Sequence, residues 1–129
     1  MSDLADARAE LATFLNTVSG VRAVDVVPKT FTPPIVWVAA GSPYRQRAQA
    51  VGKKRINLVA VCFGGMSTND AAEKATEDLA ELVADAIDKD TRYRLDPLAE
   101  MDQPRLYPAA QGQSMLGIAV NLSRESTRG

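Results

Sequence analysis

The run RINLVAVCF, Arg55 to Phe63, constrains the fold more than any other stretch of the chain. Ile56, Leu58, Ala60 and Cys62 alternate with Asn57, Val59, Val61 and Phe63. At a two-residue period both faces are largely apolar, so this strand belongs in the middle of a sheet. Gly64-Gly65 ends it. Ser67, with Asp70 three residues later, resembles a capping box, and Ala72, Ala75, Leu79, Leu82, Val83, Ala86 and Ile87 then mark one face of a long helix to about Asp88.

The opening of the chain is also an amphipathic helix. Ser2 is placed to cap it, Asp3 and Asp6 sit where the helix dipole favours anions, and Leu4, Ala7, Leu11, Leu15 and Val18 recur at spacings of three and four. Gly20 marks its stop beyond Thr17 or Val18. Val21 to Val27, ending at Pro28, and Ile35 to Ala40, preceded by Thr-Pro-Pro, read as strands. Arg92 to Leu95 reads as a short strand, and Pro97, Pro104 and Pro108 break up the stretch beyond it. Leu116, Ile118, Val120 and Leu122 alternate with Gly117, Ala119, Asn121 and Ser123 to form the last strand, and Arg124 to Gly129 reads as a loose tail.

Two helices with apolar stripes and a sheet of four or five strands satisfy each other when the helices cover the sheet. The expectation is a two-layer α+β domain over residues 1–123, mainly antiparallel, with a long basic β-arm at 41–55 and a flexible tail at 124–129. A length of 129 residues suits one domain, which buries about two thirds of its unfolded surface.

Composition narrows the chemistry. The chain has no histidine and one cysteine, which excludes zinc fingers, Ser or Cys catalysis with a histidine base, and intramolecular disulfides. Fifteen Lys and Arg against sixteen Asp and Glu give a net charge of −1 and an isoelectric point near 5.4, unlike a protein that coats nucleic acid. No run reaches the roughly eighteen apolar residues of a membrane span, and MSDLADARAE lacks the basic and apolar regions of a signal peptide. The chain is therefore expected to be made and to stay in a cytosol, away from membranes.

Charge is strongly segregated. GSPYRQRAQAVGKKR, Gly41 to Arg55, carries Arg45, Arg47, Lys53, Lys54 and Arg55 and no acid. Hairpin connections usually take two to five residues, so a link this long reads either as a projecting functional arm or as a solvated loop. The helix beyond Ser67 carries Asp70, Glu73, Glu77, Asp78, Glu81, Asp85, Asp88 and Asp90 against Lys74 and Lys89, a net charge of −6. An acidic ridge and a basic arm on one nearly neutral chain complement each other between copies, which favours a head-to-tail ring or filament; the plain alternative is a solvated helix face. A carboxylate enzyme would need ligands converging in a cleft, which carboxylates spread along a helix face do not supply. Gly64-Gly65 lacks the P-loop lysine and the dinucleotide-binding spacing, and Trp37 and Cys62 read as core residues.

The layout resembles the tail terminators of long-tailed, non-contractile phages of the lambda type. The likeness rests on the opening helix LADARAELATFLNTV, on TPPIVWVAAGSPYR leading into the arm, on RINLVAVCFGG feeding the acidic helix, and on the last strand MLGIAVNLSRE. It implies a non-enzymatic virion protein without a cofactor. Such a protein forms a hexameric ring at the tail-neck junction, stops growth of the tail tube and offers its other face to the head-tail connector, with DNA passing only through the lumen. It implies further that Arg45, Arg47, Lys53, Lys54 and Arg55 face the tail tube or a neighbouring subunit. Glu73, Glu77, Glu81 and Asp85 then belong to a subunit interface or to the channel wall. Two other readings stand beside it: a neck adaptor bound on the portal side, and a small nucleic-acid-binding module using the basic arm.

Overall fold

The computed structural model describes residues 3–25, 34–47, 54–65, 70–97, 99–108 and 114–126. Ser2, Ser67 and Gly112 lie outside these residues, as do Lys53 and the rest of 48–53. Element order is α1 (Asp3–Asn16), β1 (Ala23–Val24), β2 (Ile35–Arg47), β3 (Lys54–Phe63), α2 (Asp70–Lys89), β4 (Arg94–Leu95), β5 (Arg105–Pro108) and β6 (Ser114–Ser126).

Five strands lie in the order β1-β2-β3-β6-β4, and β5 joins the far end of β6. The β1–β2 pair is parallel and the rest are antiparallel. RINLVAVCF is central, as its pattern demands, with β2 on one side and β6 on the other. Both helices cover one face. Leu11 and Leu15 from α1 and Leu79, Val83 and Ile87 from α2 pack with Val36, Val38, Ile56, Leu58, Ala60, Cys62, Ile118, Val120 and Leu122 in one core. The fold is thus the two-layer α+β arrangement expected. The other residues of each strand build a smaller cluster on the opposite face, where Ile35, Val61, Phe63, Met115 and Ala119 are buried and Trp37, Val59 and Tyr107 pack partly buried against them. Trp37 therefore belongs to this second face, and Cys62 to the main core.

Small devices join the layers. Asn16 donates to the carbonyls of Ala12 and Ala23, at 2.9 and 3.0 Å, and accepts the Ala23 N–H at 2.9 Å, so one side chain clips the end of α1 to β1. Gly20 takes the left-handed turn at φ 87°. At the other end, Gly64 passes so close to α2 that its N–H reaches the hydroxyl of fully buried Thr76, at 3.1 Å.

Two asparagines shape the rims of the sheet. Ala40 pairs with Leu58 and Arg45 with Ile56, so four residues of β2, Gly41 to Tyr44, bulge opposite the single Asn57. The Asn57 amide holds the bulge by donating to Pro43 O at 2.7 Å and Gln46 Oε1 at 2.8 Å. The irregular edge from Arg94 to Pro108 is organised by Asn121. Its carbonyl accepts the Asp96 N–H, its own N–H donates to Glu100 O at 2.9 Å, and its side-chain amide donates to Ala99 O at 3.0 Å and Asp102 Oδ1 at 3.3 Å. Replacing Asn121 with Ala is expected to cost about 1.5 kcal/mol. It should also speed amide exchange at Asp96 and Asp102 while β3 keeps its protection; unchanged exchange there would contradict this role.

The strands outrun the sequence pattern. Residues 41–47 and 54–55, expected in a projecting basic β-arm, lie within β2 and β3: beyond the bulge at 41–44, Arg45 to Arg47 pair with Lys54 to Ile56, and Lys54 pairs in turn with Ser126. The basic segment is in this part the end of a three-stranded sheet. For the same reason β6 runs three residues into the expected tail at 124–129; residues 127–129 lie outside those described. The proline-broken stretch supplies β5 as an extra strand because Arg105 to Pro108 align with Ser114 to Gly117.

Candidate interaction surfaces and an arginine-lined cleft

Glu73, Glu77, Glu81 and Asp85 recur every four residues, on one stripe of α2 about 18 Å long. All four are exposed, and none makes an ion pair with another described residue. The buried side of the same helix, Ala72, Thr76, Leu79, Ala80, Val83, Ala84 and Ile87, explains why. With that face fixed on the sheet, the charges are forced outward. Exposed Leu82 interrupts them.

The predicted basic residues are gathered only in part. Arg45 is exposed and opposes Ile56, and Lys54 is two residues from Ile56, so both leave the sheet on the side that bears the helices. Arg55 opposes Glu125 and turns to the other face. Arg47 continues β2; Lys53 is outside the described residues. α2 starts beside Gly64, where Ala75 and Thr76 touch the chain, and leads to β4, which pairs with Leu122 and Ser123. It thus runs back along β3. Glu73 sits by the end of the sheet remote from Arg45 and Lys54, and Asp85 towards the nearer end. Within one copy the acidic stripe and the basic end do not neutralise each other.

A second grouping exists only in three dimensions. At the corner where β4 leaves β6, Arg55, Arg92, Arg94 and Arg124 line a cleft of about 330 Å³ together with Glu10, Tyr93, Ser123 and Glu125. Arg124 pairs with Glu10. Arg92 forms a two-pronged pair with Asp90, at 3.0 and 3.1 Å, which holds the Asp90 carboxyl below the usual range, and its guanidinium lies 5.3 Å from the ring centres of both Phe14 and Tyr93. Arg55 and Arg94 are engaged in no ion pair with a described residue. Sequence reasoning misses this site because Arg92 and Arg94 lie in what reads only as a short strand, and Arg124 in what reads as a loose tail, with nothing local to pair them. The one signal in the sequence is the basic character of RYR, Arg92 to Arg94.

Among the described residues no group of three or more Cys, Asp or Glu side chains is placed to hold a metal ion. Nor is any described helix long and apolar enough to cross a membrane. Comparison with family models and with curated proteins finds no match for the chain.

Proposed function

We propose that this chain is a structural subunit that closes with copies of itself into a ring, of the kind formed by the tail terminators of lambda-type phages. One observation carries the reading: a stripe of four exposed carboxylates and a basic sheet end that find no partner in their own copy among the described residues. Copies set head to tail bring the two together, and a rotation that closes gives a ring. The ring does its work by shape. A tube that grows by head-to-tail addition stops when a subunit matches its open end but presents another surface beyond.

In this reading Arg45, Arg47, Lys53, Lys54 and Arg55 meet the tail tube or the next subunit, and Glu73, Glu77, Glu81 and Asp85 meet a neighbour or line the lumen through which DNA passes. The ring is a hexamer at the tail-neck junction, assembled in the bacterial cytoplasm, with the head-tail connector on its far side. No catalytic step and no cofactor enter. Weak single contacts suffice, because six made together on a tube supply the avidity.

Electron microscopy of the purified protein with polymerised tail-tube protein tests the proposal. Annuli as wide as the tube, seated on one end only, are the expected result. Selective attachment to the portal-side connector would move the protein to the neck adaptors. Monomers that ignore both, with DNA affinity that falls steeply with salt, would replace the reading with a nucleic-acid-binding module.

A further inference from the structure

The α2 helix carries one large apolar side chain that the fold leaves in water. Leu82 is 39 % exposed, whereas Leu79, Val83 and Ile87 of the same helix are buried in the core. Asp78 and Asp85, four residues before it and three after, are its neighbours on the helix surface, Glu81 precedes it, and all three are exposed. Ala75 and Ala86 continue the line of Leu82 along the helix and are half-buried. Beside Leu82 runs the turn that follows α1. There the Val21 N–H donates to Val18 O at 3.1 Å, and a Cβ built on Gly20 would lie 3.8 Å from Leu82 Cδ2. The outcome is a small apolar spot with carboxylates along one side. Protein contacts concentrate their binding energy in such a centre when a polar rim shields it from water.

We infer that Leu82 is the apolar anchor of the contact between copies, seated under the methylene stems of Arg45 and Lys54 of the next copy while their charged heads reach Asp78, Glu81 and Asp85. The inference rests on the ring reading and adds to it the part of the contact that is not ionic. Long cationic side chains suit the spot because their stems cover apolar surface and leave the head free for an anion. Arg45 and Lys54 are such side chains, and they leave the sheet on the side that bears the helices. Pairing of the spot with itself about a two-fold axis would set the same three carboxylates against their own copies, which like charge disfavours. Exposed ion pairs alone hold weakly and are screened by salt, so the covering of Leu82 supplies the salt-tolerant share of the contact.

Disulfide cross-linking of two single variants, Leu82→Cys and Arg45→Cys, mixed in equal amounts under mild oxidation, tests the inference. Cys62 is fully buried and stays out of the reaction. Linked dimers that form in the mixture and in neither variant alone are the expected result. In parallel, Leu82→Ala should raise the concentration of half-maximal assembly about tenfold, the loss expected for an apolar anchor cut to a methyl group. Leu82→Met should keep that concentration near the wild-type value. Leu106→Ala, at a leucine 61 % exposed on β5, should leave it unchanged. Linkage of Leu82→Cys to itself would overturn the inference in favour of two-fold pairing. Wild-type assembly with no cross-link in the mixture, or with an unmoved midpoint in Leu82→Ala, would overturn it and leave the ring reading standing. Failure of the wild type to assemble, alone or on tubes, would remove the ring reading and this inference with it.

Discussion

Replacing Gly64 with alanine is expected to lower the unfolding free energy by about 3 kcal/mol and the melting temperature by about 10 °C. A Cβ built at Gly64 falls 2.4 Å from the carbonyl carbon of Ala75 and 2.4 Å from the amide nitrogen of Thr76. Both atoms are backbone of α2 and cannot swing aside. The helix has to lift, which breaks the Gly64 N–H bond to Thr76 and loosens Leu79, Val83 and Ile87 from the sheet. Thr76 would keep only its bond to the Ala72 carbonyl, at 2.7 Å. Gly65 is the control. There a Cβ meets the Ala72 methyl at 3.0 Å and its Cα at 3.1 Å, so a small adjustment suffices. Denaturant unfolding of both variants checks the difference, and equal losses would show that the close approach at Gly64 is not the cause.

Between about pH 9 and pH 12 the protein is expected to lose up to about 1.4 kcal/mol of stability per pH unit through Cys62 alone. The side chain is fully buried in β3, donates only to its own strand at Ala60 O, 3.7 Å away, and has its thiol pushed from 9.0 up to about 12 by burial. The unfolded chain releases this proton near its ordinary value while the folded chain retains it. The contribution is therefore fully present below about pH 9 and is lost as pH rises towards 12. Burial raises Tyr93 and Tyr107 in the same direction, so the wild-type curve alone is not diagnostic. Cys62→Val keeps the shape and removes the proton. Urea unfolding of both proteins at about pH 8, 9.5 and 11 should show the wild type falling faster. Parallel curves would mean that the thiol is hydrated in the folded state.

Much of the fold is legible in the sequence because patterns of two and of three to four residues map onto faces that packing then fixes. Leu11 and Leu15, or Val83 and Ile87, announce a buried helix side before any sheet is known, whereas Gly20, expected as the helix stop, takes the left-handed place in the Val18–Val21 turn four residues past the end of α1 at Asn16. The outward stripe of Glu73, Glu77, Glu81 and Asp85 comes from the same phase, since the opposite side of α2 is apolar. Pairing partners carry no such local mark. Gly41 to Arg47 is polar and contains Pro43, yet it stays in β2 because Asn57 holds the bulge from the neighbouring strand, 14 residues away from Pro43. Arg124 to Ser126 is strand because Lys54 to Ile56 offers an edge. The edge from Arg94 to Pro108 depends on Asn121, whose four contacts no spacing rule predicts. The arginine-lined cleft is hidden for that reason: Arg55, Arg94 and Arg124 come to one corner of the sheet, Arg124 on the helix side and the other two on the opposite face, only after three strands are in register.

The ring claim is tested most directly by exchanging the two charges within one chain and measuring assembled mass by light scattering. Arg45→Glu with Lys54→Glu, and separately Glu77→Lys with Glu81→Lys, should each abolish the closed oligomer on tail tubes and in concentrated solution. The chain carrying all four substitutions should recover it, since every interface then meets an inverted but matching neighbour. Assembly by either two-site variant at the wild-type level, or no recovery in a folded four-site variant, would contradict the account.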